Sequence, residues 1–153
     1  MMKVFLGGTC NGSMWREHLI SMIQMEYFNP VVEEWTEDCY QEELKQRMEC
    51  DFCLYVITPR GFNFYSIAEV VDDSNKKPDK TIFCILEQEY PDGYEINIQG
   101  ELFPYWKIPD RQIYFDDEQL KLLDKVGCMI QLNGGKYYTS LNDVADYLNS
   151  KLF

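Results

Sequence analysis

The segment Phe52-Cys53-Leu54-Tyr55-Val56-Ile57-Thr58-Pro59-Arg60-Gly61-Phe62-Asn63-Phe64-Tyr65-Ser66-Ile67-Ala68-Glu69 joins six apolar residues to an aromatic loop and then to a second apolar pattern. The run Phe52 to Ile57 shows no polar alternation, which suits a parallel strand covered on both faces by helices. Thr58-Pro59 breaks the run, and Ile67, Ala68, Val70 and Val71 open a helix. Such a loop lies at the carboxyl end of a strand, where open α/β sheets collect ligands. Glu69 stands within a turn of that mouth. Its spacing admits two readings. Ser66-x-x-Glu69 is a capping box, in which Glu69 bonds back to its own helix start. Alternatively its carboxylate faces the mouth as a nucleophile.

Outward from this segment the same alternation repeats. Lys3 to Leu6 reads as a strand, followed by the turn Gly7-Gly8-Thr9-Cys10-Asn11-Gly12-Ser13 and a helix bearing Trp15, Leu19, Met22 and Ile23 at helical spacing. Ser13 or Asn11 caps that helix. The turn is either a phosphate cradle at a helix start or a tight turn that needs glycines. Glu26 to Asn29 is a short strand ended by Pro30, and Val31 to Trp35 is a loop. A helix from Thr36 or Asp38 to about Met48 carries a narrow stripe of Tyr40, Leu44 and Met48, with Glu42, Glu43 and Glu49 on a solvated face.

Beyond Glu69, Asp72 to Lys80 is expected to be a polar connection and Thr81 to Leu86 a fourth strand. Residues 87–112 are rich in proline, glycine and aromatics, and form an irregular insertion that covers the cleft as a lid or packs between subunits. Within it, Glu95-Ile96-Asn97-Ile98 suggests a hairpin arm. Asp116 or Asp117 caps a helix with Leu120, Leu122, Leu123 and Val126. Cys128 to Leu132 reads as the fifth strand and Lys136 to Thr139 as a small extension. Ser140-x-x-Asp143 opens a last helix with Leu141, Val144, Ala145, Leu148 and Leu152 on one face. The expected fold is therefore α/β: a flavodoxin-like or Rossmann-like three-layer sandwich around a mainly parallel five-stranded sheet.

The totals fit one domain over residues 1–153, with 46% hydrophobic residues. The net charge, 14 − 26 = −12, argues against binding long nucleic acids, which are held through Lys and Arg. No apolar run spans a membrane and no signal peptide is read, so the expected location is cytoplasmic. The cysteines are then reduced thiols. Cys50-Asp51-Phe52-Cys53 lacks a second ligand pair, and His18, the one histidine, is far away in sequence and reads as a surface residue, so no metal is expected. A dinucleotide glycine fingerprint and a phosphate-loop lysine are both missing, and no cofactor is expected. A hydrolase triad has no nucleophile elbow. Carboxylate chemistry remains, and glycosyl transfer is a reaction in which a carboxylate traps an oxocarbenium-like centre.

Four motifs carry a resemblance: Lys3-Val-Phe-Leu-Gly-Gly-Thr-Cys-Asn11, Tyr27-Phe-Asn-Pro-x-Val-x-x-Trp-Thr36, Asp51-x-x-Leu-x-Val-Ile-Thr58 and Ser66-Ile-Ala-Glu69. Together they resemble the nucleoside 2-deoxyribosyltransferase family, and most closely its divergent transferase-like branch. The match spans residues 3 to about 75, with a looser fit at Gly134-Gly135 and the last helix. The resemblance implies a flavodoxin-like fold and exchange or hydrolysis of the N-glycosidic bond of a nucleoside or nucleotide. It also implies a homo-oligomer whose neighbours complete each site. The family's nucleophilic Glu falls on Glu69, with Ser66 orienting it. Gly8, Thr9, Asn11 and Ser13 would meet sugar or 5′-phosphate. Asn29 and Trp35 would face the base, although Trp35 equally fits a core position. Classical members carry an Asp six residues before the Glu to protonate the departing base. Asn63 stands there instead and can only hydrogen-bond the base. Glycines that usually precede the Glu are Tyr65, Ser66 and Ile67, and the tyrosine that often ends the first strand is Phe5. These departures leave open a ligand-binding module without chemistry, or a protein-interaction domain on the same fold.

Overall fold

Alternate residues of the first strand, β1 (Lys3–Gly8), supply two opposite cores: Val4 and Leu6 on one face, Phe5 on the other. The computed structural model describes residues 1–10, 12–89, 95–96, 102–103 and 113–153. In chain order the elements are β1, α1 (Trp15–Ile20), β2 (Glu26–Phe28), α2 (Glu37–Glu49), β3 (Phe52–Ile57) and α3 (Phe64–Lys76). A single 3-10 turn (Pro78–Lys80), β4 (Thr81–Ile85), β5 (Glu95–Ile96) and β6 (Leu102–Phe103) follow, then α4 (Asp117–Leu132), β7 (Lys136–Tyr138) and α5 (Leu141–Ser150).

The main sheet has the order β2-β1-β3-β4-β7, with every pairing parallel. Counting its own strands, this is the 2-1-3-4-5 order of flavodoxin-like folds. β3 is buried at all six positions. Trp15 and Leu19 of α1 and Val144, Ala145 and Leu148 of α5 pack on the face formed by Val4, Leu6, Leu54, Val56 and Ile82. Val70 of α3 and Ile130 of α4 pack with Phe5, Tyr55, Ile57 and Phe83 on the other. Each fully buried aliphatic or Phe side chain contributes about 1.5–3 kcal/mol. The two faces thus hold the three-layer sandwich.

Two expectations about elements are corrected. Cys128 to Leu132 is not a strand but the end of α4, and the fifth strand is Lys136–Tyr138. The apolar run at 128–132 continues the helical spacing of Leu120 and Leu123 through Gly127 to Ile130, and a short apolar run has no period of its own to separate helix from strand. Gly127 fits there because an added Cβ would lie 2.4 Å from the Tyr137 ring. Cys128 itself is exposed. The second correction concerns Asp72 to Lys80: α3 runs on to Lys76, because Asp72 and Asp73 are ion-paired rather than loop residues. The α2 stripe is also weak. That helix has no buried residue, and Met48 is exposed.

Caps were better specified. Asp116 and Gln119 form a capping box at α4, Thr36 caps α2, and Ser140 accepts from Asn142 and Asp143 at α5. α1 starts after Met14, with no side-chain cap from Ser13, and Asn11 lies outside the described residues. Most of 87–112, read as a lid or interface, also lies outside them. Its described parts are the antiparallel pair β5–β6, which bears out a hairpin beginning at Glu95-Ile96, and its entry and exit. Glu89 N–H donates to Ile113 O and Phe115 N–H to Glu87 O, so the insertion leaves and returns beside β4.

Candidate active site

The carboxyl ends of β1 and β3 adjoin at the point where strand order reverses. Chain leaving β1 passes to β2 on one side, and chain returning through α2 enters β3 on the other. That divergence opens a crevice. Gly8 ends β1 at φ +115°, a conformation suited to glycine, and a Cβ there would fall 2.0 Å from Val56 O. Close strand approach at this point therefore needs no side chain. Above it lies a cavity of about 370 Å³, walled by Gly7, Gly8 and Cys10, by Pro30 to Val32 and Trp35, and by Tyr65, Ser66 and Glu69. Arg16 and Glu43 complete it. A smaller cavity of about 230 Å³ continues from Gly8 and Ser66 to Arg60 and Asn63.

Glu69 lies inside α3, not at its cap. The helix begins at Phe64 after Asn63, which is left-handed at φ 65°, so Ser66 and Glu69 occupy helical positions and the capping-box reading is set aside. The Glu69 residue is 8% exposed, and its carboxylate adjoins the cavity. Burial pushes its carboxyl up to about 7; Arg47 pulls down, while Glu43 and Asp73 push further up. Arg47 Nη1 stands 3.8 Å from Glu69 Oε2.

Arg47 is held from behind. Its Nε and Nη2 donate to Asp73, and Nη2 also reaches Asp72 and the Glu69 carbonyl. Asp73, 2% exposed, additionally accepts from Tyr55 Oη at 2.5 Å, and Lys77 Nζ lies 3.8 Å away. Burial opposes the Arg47 charge, but the Asp73 hydrogen bonds and the surrounding acids outweigh it, so its proton is held more tightly than usual. Arg16 is 3% exposed, and its guanidinium donates to the carbonyls of Leu6, Thr9 and Gly8, tying α1 to the end of β1. Burial lowers its pKa, with Cys10, Glu17 and Glu43 acting in the opposite sense. Glu43, on α2, is half-buried; burial pushes its carboxyl above the ordinary value, against the pull of Arg16 and Arg47.

The structure sorts the residues singled out by sequence. Glu69, Ser66, Gly8 and Trp35 meet at the larger cavity. Trp35 is 64% exposed and stacks obliquely with Tyr40, so it is a rim residue and not core. Among the described residues no hydrogen bond joins Ser66 to Glu69. Thr9 is a buried strut: its hydroxyl accepts from Thr58 N–H and donates to Asn63 Oδ1. Asn63 is occupied too, since its amide donates to Thr58 O and Gly61 O. It braces the loop and has no donor left for a base. Asn29 Oδ1 accepts from Val31 N–H and shapes the turn after β2. Ser13 is not among the residues that line either cavity: its hydroxyl donates to Glu89, and Met14 N–H donates to the same carboxylate. Of the two readings of this turn, the phosphate cradle meets the chain's own anion at the start of α1.

Glu43, Arg16, Arg47 and Glu89 were missed as site residues. Three of them carry no motif; Glu43 was read as part of a solvated acidic face. The one available signal was Glu43 to Arg47, a favourable i,i+4 pair that places both on one face of α2. Among the described residues no group of His, Cys, Asp and Glu is arranged to hold a metal ion, and no helix is long and apolar enough to cross a membrane.

A family model described as nucleoside 2-deoxyribosyltransferase like matches residues 1–88, from β1 through β4 to the strand's carboxyl-end loop. No curated protein matches the chain.

Proposed function

The chain belongs to the nucleoside 2-deoxyribosyltransferase-like family, and from that membership we propose that it transfers or hydrolyses the N-glycosidic bond of a nucleoside with Glu69 as nucleophile. The family supports a glycosyl-transfer function on a small nucleoside substrate. The observation that carries the finer reading is a single buried carboxylate, held up to about 7, beside an open cavity at the reversal point of the sheet.

Glu69 Oε attacks the anomeric carbon. The C–N bond to the base breaks, and its electron pair leaves with the base nitrogen. A second base, or water, then displaces Glu69 from the same carbon. Arg47 holds the carboxylate in place from the side of Asp73 and, as a cation, favours its ionised form. Trp35 and Tyr65 at the rim offer faces for a base. Glu89 at the start of α1 opposes a 5′-phosphate there, which favours nucleosides over nucleoside monophosphates.

The test is incubation with a panel of deoxynucleosides and monophosphates, with and without a free acceptor base, read by chromatography. Exchange or base release is expected with nucleosides, and Glu69→Ala or Glu69→Gln should abolish it. A panel with no exchange and no released base refutes the proposal. A second reading, a module that binds such a ligand without chemistry, draws on Asn63, whose amide is consumed by Thr9, Thr58 and Gly61. Calorimetry with recovery of intact ligand distinguishes it.

A further inference from the structure

Glu69 and Asp73 stand four residues apart on α3, so both carboxyls project from one face of the helix, toward Arg47 of α2. Like charges at that spacing repel unless a cation serves both. Arg47 serves them unequally. It meets Asp73 side-on at two points, Nε to Oδ2 at 3.2 Å and Nη2 to Oδ1 at 2.8 Å. Glu69 Oε2 faces Nη1 at 3.8 Å, beyond hydrogen-bond reach. A bonded guanidinium–carboxylate pair would stand about 1 Å closer. Among the described residues no hydrogen bond is made to the Glu69 carboxylate. The unequal sharing has a structural cause. Asp73 is 2% exposed and fixed: Tyr55 Oη from β3 donates to its Oδ2 at 2.5 Å, and Lys77 Nζ, one turn on, lies 3.8 Å from Oδ1. Arg47 is drawn to this anchored acid, while its Nη2 is shared with the Glu69 carbonyl and Asp72.

We propose that Asp73 is a positioning residue for the nucleophile: its two-point grip holds the Arg47 guanidinium beside Glu69 but out of bonding reach, so that the carboxylate is both ionised and free to attack. This rests on the proposed Glu69 chemistry and says what sets its reactivity. A carboxylate attacks through an oxygen lone pair, and a charged hydrogen bond on that oxygen must weaken before the new bond forms. A cation slightly farther off favours the ionised form without occupying the lone pair. Asp73 acts through Arg47.

The described titratable groups around Glu69 are Arg47 and Glu43 from α2, Asp73 and Tyr65 from α3, Arg16 from α1 and Cys10 from the turn after β1. Loss of the Asp73 charge removes one repulsion and lets Arg47 close on Glu69. Both changes favour the ionised carboxylate, so the acid limb of the rate moves to lower pH. Loss of Arg47 instead moves it to higher pH. A general loosening of the fold would not give opposite shifts from the two halves of one ion pair.

The experiment follows the Glu69 carboxyl by carbon-13 NMR, its signal assigned by its absence in Glu69→Gln, alongside kcat and KM for a 2′-deoxynucleoside. In Asp73→Asn the Glu69 titration and the acid limb should both fall by about one pH unit or more. Above that limb kcat should drop about 10- to 100-fold, the weight of one charge-assisted hydrogen bond, with KM little changed. Adding Arg47→Leu should restore most of that kcat at alkaline pH, because the cation that closed on Glu69 is gone. A Glu69 titration that stays or rises in Asp73→Asn overturns the proposal, and so does a kcat loss that the double variant deepens. The unaltered protein supplies a measurement that needs no variant to fold. By nitrogen-15 NMR the Arg47 Nε–H should stay protected from exchange while Glu69 titrates. Protection lost as Glu69 ionises shows the guanidinium passing to Glu69, and overturns the tether. If the unaltered chain turns over no nucleoside, the Glu69 reading falls and takes this one with it. Titrations that then behave as expected locate the fault in the chemistry and not in the grip on Arg47.

Discussion

Replacing Glu69 by Gln should make the protein more stable in alkali while removing its activity. In the folded chain burial holds the Glu69 proton up to about 7, whereas the ordinary value is 4.5. Below about 4.5 folded and unfolded chains both carry that proton. Between there and 7 the folded chain binds more protons than the unfolded one, so stability drains away as pH rises, and above 7 the loss is complete. Spanning 4.5 to about 7 at 1.36 kcal/mol per pH unit, the loss is about 3 kcal/mol. The Arg47 attraction is already included, because it is one of the causes that set the value. Gln keeps the shape and cannot ionise, so the variant escapes the loss. At about pH 5 the two proteins should melt together; at about pH 8 the variant should melt roughly 6–12 °C higher, at about 2–4 °C per kcal/mol for a chain of this size. Thermal and urea unfolding of both proteins across that range supply the comparison. A melting difference independent of pH, or a variant less stable at pH 8, would refute the idea that folding forces this carboxyl into an uncomfortable place. A stability gain joined to lost turnover is what a functional carboxylate should show.

Other outcomes follow from the same geometry. Arg47→Leu leaves buried Asp73 with Tyr55 and Lys77 alone, and should cost about 3–5 kcal/mol in urea unfolding; with its cation gone, Glu69 should titrate higher still, moving the acid limb of the rate profile upward. Gly8→Ala puts a Cβ into Val56 O at a left-handed φ, and should yield little folded protein by circular dichroism. Trp35→Ala removes an exposed rim ring, so KM for the nucleoside should rise several-fold while the melting temperature stays within about 2 °C.

Sequence alone determined the layered architecture, because burial on both faces writes itself into contiguous residues: the run at β3 is apolar throughout, and those at β1 and β4 carry no charged or polar side chain beyond their first residues, Lys3 and Thr81. It also determined the cap at Ser140 and narrowed those of α2 and α4 to pairs that include Thr36 and Asp116, since caps act within one turn; Glu69 was rightly put in the helix after β3, but α3 starts earlier, at Phe64, so Glu69 lies beyond its first turn. The last strand escaped it. Lys136–Tyr138 is three residues at an edge, too short to show a period, while the apolar tail of α4 imitated a strand. What only the tertiary structure decided are the polar partnerships: Arg47 with Glu69 and Asp73, Glu43 across the cavity, Asn63 clasped by Thr9, and Glu89 seated on Ser13 and Met14. Those pairs lie 22 to 76 residues apart in the chain. A charge that is neutralised by a distant partner leaves the same letter in the sequence as one dissolved in water, so its role exists only once the strands have brought the two together.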